Sequence, residues 1–310
     1  MNIRTITLLA LSLVPLGRTA RTEPYAYSPS MLTFNGVAQE LAVFPLSGKA
    51  FGLPLPAALD VLAFGPEGNA LYARHLGDMA AVAGEPEPGL VKIEFNPMRV
   101  SAVRGSATLS RYYAVAVSRL QDRLILSGHL VGTPRSSCGI FELQLATGSV
   151  RPVVESRACD PVTDPPYAHW EYISVSPDGL RAVALRNHRL ELINLSDGEV
   201  SVVGGGAYLM GAWSPDGRWL AAVKSKADDT SLLNARTLGE GRPIGGTDLQ
   251  WSPDSRYLLA RERSLLCGLG ETGTFEVVDV ALGKRSEVQS SRCLINRART
   301  GWVSSAIAPS

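Results

Sequence analysis

Short apolar runs separated by Gly, Pro, Asn and Asp fill the chain, and the clearest of them come in pairs. Ile173 and Val175 lead into Ser176-Pro177-Asp178-Gly179, and Ala182-Val183-Ala184-Leu185 follows. Ala212-Trp213 leads into Ser214-Pro215-Asp216-Gly217, and Trp219-Leu220-Ala221-Ala222-Val223 follows. Leu249 and Trp251 lead into Ser252-Pro253-Asp254-Ser255, and Tyr257-Leu258-Leu259-Ala260 follows. Each four-residue run begins 38 residues after the one before. Proline presets φ at the first corner of a tight turn, Asp bonds back to its own backbone, and Gly tolerates a left-handed exit. Each copy therefore predicts a hairpin of two buried strands, with Pro177, Asp178, Gly179, Pro215, Asp216, Gly217, Pro253 and Asp254 as structural turn residues.

The rest of the unit recurs too. Leu190-Glu191-Leu192-Ile193-Asn194-Leu195 runs into Asp197-Gly198, and Phe275-Glu276-Val277-Val278-Asp279-Val280 into Leu282-Gly283-Lys284. Apolar and polar positions alternate there, which predicts a third strand, a turn, and a short fourth strand such as Val200-Ser201-Val202-Val203. Four strands in such a unit make a propeller blade. Weaker copies lie at Val61-Leu62-Ala63-Phe64-Gly65-Pro66-Glu67-Gly68 and at Ala114-Val115-Ala116-Val117-Ser118 with Ile140-Phe141-Glu142-Leu143 after it. That gives five blades. Strand-like material at Ala26 to Pro45 and Gly301 to Ile307 completes a sixth from opposite ends of the chain, leaving no exposed sheet edge. The fold class expected is an all-β propeller of four-stranded blades, six-bladed, with seven as the alternative.

At these residues the chain resembles the WD-repeat-like propellers of the TolB family, whose blades carry a Phe/Trp-Ser-Pro-Asp-Gly signature. The likeness is specific across Trp170 to Lys284. TolB itself carries an α/β domain ahead of its propeller, whereas only Arg21 to Asp60 precede the first readable blade here, so the resemblance implies a stand-alone propeller and not the TolB task. Propellers of this type also gate prolyl-oligopeptidase-like hydrolases. No G-x-S-x-G nucleophile elbow is present.

The first residues have another character: Arg4, an apolar run from Ile6 to Leu16, then polar chain. This pattern predicts a secretory signal peptide over residues 1–20 and a single propeller domain over 21–310. The run is shorter than the ~20 residues that span a bilayer. With 30 Lys plus Arg against 29 Asp plus Glu the formal charge is +1, so the balance offers nucleic acid and anionic membranes no broad basic footprint.

An exported chain with four cysteines is read as disulfide-bonded. Cys138 precedes a third strand and Cys159 follows the fourth, and Cys267 and Cys293 bracket a later pair in the same way, so the expected bridges are Cys138–Cys159 and Cys267–Cys293. No C-x-x-C or H-E-x-x-H spacing suggests a metal, and His75, His129, His169 and His188 stand apart. No catalytic, metal or cofactor residue is assigned and no cofactor is expected. The stretch from Val154 to Tyr172 fits the ruler worst, stretching the spacing between turns to 58 residues from Ser118 to Ser176. Insertions on a rigid scaffold carry binding, so Asp164, Tyr167, His169 and Trp170 are the candidate contact loop. The reading favours a protein- or peptide-binding scaffold of the cell envelope, periplasmic or secreted, whose partner is another envelope or secreted protein. The alternative is a small metal-dependent hydrolase, lyase or lactonase with its site in the channel.

Overall fold

The computed structural model describes residues 22–28, 40–43, 51–54, 59–75, 89–95, 97–120, 122–131, 138–156, 169–225, 229–239, 242–244, 247–261, 274–289 and 300–304. β1 (Thr22–Ser28), β2 (Glu40–Val43) and β3 (Phe51–Pro54) form one sheet, and β4 (Leu59–Phe64), β5 (Ala70–His75), β6 (Val91–Phe95) and β7 (Met98–Ala102) the next. β8 (Leu109–Val117), β9 (Arg123–Leu130), β10 (Cys138–Gln144) and β11 (Val150–Ser156) follow. Then come β12 (Glu171–Val175), β13 (Arg181–Arg186), β14 (Arg189–Asn194) and β15 (Val200–Val202). β16 (Tyr208–Trp213), β17 (Trp219–Lys224) and β18 (Asp229–Asn234) make a shorter sheet, and β19 (Thr247–Trp251), β20 (Tyr257–Arg261), β21 (Thr274–Asp279) and β22 (Lys284–Gln289) a full one. β23 (Thr300–Ser304) returns to pair antiparallel with β1, so the two ends of the chain share a sheet.

Every neighbouring pair is antiparallel, and the chain runs up and down through each blade. This all-β arrangement is a propeller of four-stranded blades. Five sheets among the described residues have four strands, which corrects the expectation of six or seven complete ones: the β16–β18 sheet stops at three. Where a fourth strand would pair with β18, contact among the described residues is a single bridge between Ser231 and Pro243, with the proline at the non-hydrogen-bonded position, where no N–H is needed. Arg242 and Ile244 on either side still exchange bonds with that edge, Leu232 N to Arg242 O at 2.9 Å and Ile244 N to Thr230 O at 2.6 Å.

The core lies between blades. Ala182 and Ala184 of β13 pack with Ala114, Ile125 and Ile140 of the preceding blade, while Val183 and Leu185 of the same strand pack with Tyr208, Trp213 and Leu220 of the following one. Both faces of a second strand are thus covered, which is why these strands read as unbroken apolar runs and not as alternating ones. Fully burying such a side chain contributes ~1.5–3 kcal/mol. Trp213 and Trp251, at the same place in consecutive copies, are both buried, and Trp251 Nε1 donates to Ala212 O of the blade before at 3.0 Å.

The turns between first and second strands repeat almost atom for atom. Gly179 N donates to Ser176 O at 2.8 Å, Gly217 N to Ser214 O at 2.9 Å, and Ser255 N to Ser252 O at 2.8 Å. The three serine hydroxyls are buried and donate to Asp178, Asp216 and Asp254 at 2.5, 2.7 and 2.5 Å. Each also accepts the N–H that opens the second strand, Arg181, Trp219 or Tyr257, at 3.0, 2.9 and 2.8 Å. Gly179 and Gly217 take φ of 71° and 72°, and Ser255 takes 61° in the third copy. Asp216 N then donates to Ser255 Oγ at 2.8 Å, tying two turns across a blade boundary. Ser176→Ala should strand the Arg181 N–H and lower the unfolding free energy by ~1–3 kcal/mol in urea titrations. A change within ~0.5 kcal/mol, as for an ordinary surface substitution, would contradict this role.

Candidate functional site

Up-and-down strands send the two kinds of connection to opposite ends of the ring. First-to-second and third-to-fourth turns gather on one face, here the turn face; second-to-third loops and blade-to-blade connections gather on the other, the connection face. Among the described residues the turn-face links are short and closed by their own bonds. Besides the serine turns, Gly148 N donates to Gln144 O, Gly198 N to Asn194 O and Gly283 N to Asp279 O, at 2.7, 2.9 and 2.7 Å. Arg119 donates to Pro215 O two blades on, and Arg123 Nη2 to Gly179 O of the next blade at 2.7 Å, so turns of three successive blades are laced together.

A buried carboxylate supports that lacing. Glu142, in the middle of β10 with its side chain 3% exposed, accepts from Arg123 Nη1 at 3.0 Å, Arg151 Nη2 at 2.7 Å and Gln144 Nε2 at 2.6 Å. The same two arginines reach into the next blade, to Gly179 O and Leu195 O. Burial pushes the Glu142 carboxyl up, but bonds from Arg151 and Gln144 and the charges of Arg123 and Arg151 outweigh it and hold it below the usual range. Asp178 and Asp216 follow the same logic: burial raises them, and the Ser176 and Ser214 hydroxyls with the backbone N–H of Leu180 and Arg218 pull them down further. Carboxylates lowered in the folded state add stability that is complete above their unfolded values of about 4 and is lost as pH falls through the folded ones. The thermal midpoint should therefore be level from about pH 7 to 5 and fall steeply below about pH 4; a midpoint unchanged at about pH 3 would contradict the assignment.

The connection face holds the sequence-predicted contact residues that can be placed. His169 and Trp170 enter β12, whereas Asp164 and Tyr167 lie outside the described residues. His169 Nε2 meets Glu171 Oε1 at 3.0 Å. Trp170 is 1% exposed and belongs to the core between two blades, its Nε1 donating to Glu191 Oε2 at 2.7 Å and the Arg186 guanidinium lying 4.5 Å over its ring. It anchors the surface instead of forming it. Among the described residues the exposed large aromatic is Tyr172, which sequence reasoning passed over. It is 39% exposed and sits at φ 50° where the β12–β13 register slips between Glu171 and Ser174. Such a bulge re-aims a side chain, and nothing local in the sequence signals it. His129 is buried on β9 and His188 exposed in the β13–β14 turn; His75 closes β5.

Cys138 is buried at the start of β10, and Cys159, Cys267 and Cys293 lie outside the described residues, as does the apolar run of the first twenty. Among the described residues no three His, Cys, Asp or Glu side chains stand close enough together to hold a metal, and no helix is long and apolar enough to cross a membrane.

No known protein-family profile matches the sequence. A 75-residue stretch is 37% identical to an uncharacterised WD repeat-containing protein of Schizosaccharomyces pombe, covering 21% of this chain and 16% of that protein. Among solved structures, TolB from Acinetobacter baumannii superposes with a TM-score of 0.63 at 14% identity, over 92% of this chain and 66% of TolB. A chain of the nidogen/laminin complex matches at 0.59 with 12% identity, over 91% of this chain and 98% of that one. An oligogalacturonate lyase from Vibrio parahaemolyticus matches at 0.52 with 12% identity, over 80% and 70%. This chain thus spans about a sixth of the yeast relative and just under two thirds of TolB. At such identities the likeness concerns architecture alone, and in architecture the chain is a TolB-like β-propeller.

Proposed function

We propose that the chain is an exported β-propeller, residues 1–20 its signal peptide and 21–310 its propeller domain, that engages an envelope or secreted protein or peptide through its connection face. The observation that carries this reading is the contrast between the faces. Serine turns and arginine bonds fasten the turn face into one sheet of closed corners. The connection face instead presents Tyr172, with an unfavourable backbone angle and an exposed ring, on a buried tryptophan base. Strain that the surroundings maintain is a marker of functional positions, and tyrosine supplies contact area at small entropic cost. Function resides in the site and not in the fold, so the resemblance to the lyase and to the laminin-bound complex serves as analogy only.

Two measurements bear on this reading. Crosslinking from an envelope fraction with a tagged full-length chain should recover one specific protein, and Tyr172→Ala should reduce its yield at least tenfold with the thermal midpoint unchanged. Capture of nothing specific, together with metal-dependent turnover of small esters, would overturn binding in favour of an enzyme in the channel. The proposed bridges Cys138–Cys159 and Cys267–Cys293 would clamp the loop-side ends of two outer hairpins; in support, no cysteine among the described residues is free. Non-reducing peptide mapping of exported material should find those two pairs, and four free thiols would count against both the pairing and export.

A further inference from the structure

The outermost strand of each blade ends its sheet, and such an edge recruits another strand unless something blunts it. Most edges among the described residues are blunted. β3 ends on Pro54, β11 carries Pro152 beside a register slip, and β15 is three residues long. The β18 edge is bonded by Arg242 and Ile244, and β22 carries Lys284, Arg285 and Glu287. β7 differs from all of these. Its five residues, Met98-Arg99-Val100-Ser101-Ala102, hold one charge, no proline and no slip against β6, and all five are exposed.

Hydrogen bonds fix which groups β7 turns outward. Phe95 N donates to Asn69 O at 3.0 Å, towards β5, and Val103 N to Leu90 O at 2.8 Å, towards β6. Backbone groups alternate in direction along an antiparallel strand, so Arg99 and Ser101 bond with their register partners Glu94 and Lys92. Met98, Val100 and Ala102 therefore point their N–H and C=O away from the sheet. The same three share a face with Phe95, Ile93 and Val91, which are buried, so the apolar face of the blade runs on past its covered part. Met98 and Val100 are 39% and 48% exposed. On the other face Arg99 stands opposite Glu94, whose carboxyl is held below its usual range by the bond from Lys92 and then by the charges of Lys92 and Arg99.

We propose that a second copy of this chain adds its own β7 to this edge, antiparallel and centred on Val100. In that register Met98 of one copy meets Ala102 of the other, Arg99 meets Ser101, and Val100 meets Val100. The outward-facing residues of both strands exchange N–H···O=C bonds, their apolar side chains share one face, and no like charges stand directly opposite each other. The segment is thus complementary to itself read backwards, as closed twofold pairing requires. A five-residue edge covers less than the ~800 Å² per partner of a stable interface, so the dimer is weak, with a dissociation constant of about 10–100 μM. The inference is separate from the binding reading above, because it uses a blade edge and not the connection face.

Sedimentation velocity of the full chain from about 1 μM to about 1 mM tests this, since the expected constant falls inside that range. Val100→Lys and Val100→Glu should each weaken the dimer at least tenfold with the thermal midpoint unchanged, because each sets like charges directly opposite across the twofold. An equal mixture of the two variants should restore it, since lysine then faces glutamate. Val202→Lys, at the exposed edge position of β15, should leave it intact. A wild type that stays monomeric throughout, a mixture that stays as weak as its components, or an equal loss in Val202→Lys would overturn the proposal. A monomer that instead binds a labelled peptide of residues 97–103 would also overturn it, assigning the edge to an extended segment of another protein. Capture of an envelope partner through Tyr172 is unaffected by any of these results.

Discussion

A buried serine hydroxyl closes the corner between the first two strands in three consecutive blades, giving its proton to an aspartate and taking the N–H of the following strand. The corner fixes where the second strand starts, and so which of its residues face the blade before and which the blade after. A shift of one residue would exchange the two faces of β13 and bring Val183 and Leu185 against a neighbour shaped for Ala182 and Ala184. Stacking of blades therefore depends on a local polar bond as much as on apolar area. The weaker copy keeps part of the device: Ser118 Oγ donates to Asp122 at 2.5 Å, and Ser118 N donates to Arg123 O at 3.1 Å.

The same bond explains a division of labour between the two ends of the ring. Each aspartate that closes a corner commits its Oδ1 to the serine hydroxyl and to the backbone N–H two residues on. Arg123 and Arg151, gathered by Glu142, each give a further donor to a carbonyl of the next blade. The opposite face is released from that duty. Its connections vary in length, and it carries Tyr172 on a strand that the turn face holds in place.

Elements whose geometry is set by local chemistry were legible in the sequence. The hairpins around Pro177, Pro215 and Pro253, and the third strands ending at Asn194 and Asp279, follow from turn residues and side-chain period. Three things were not legible, for one reason: each depends on partners distant in the chain. Trp170 sits in an irregular stretch without period, and its burial comes from packing with residues of two blades. The Glu142 cluster joins positions 123, 142, 151, 179 and 195. Tyr172 is exposed because a register slip turns it outward, which no residue type announces.

Hydrogen–deuterium exchange tests the account most directly, because it follows the serine-held amides and the open face in one experiment. The N–H groups of Arg181, Trp219 and Tyr257 should exchange as slowly as the central strand amides beside them, while Gly205, Gly206 and His188 exchange fast. Exchange of Arg181, Trp219 and Tyr257 at the rate of Gly205 would contradict the claim that a buried serine corner organises the ring.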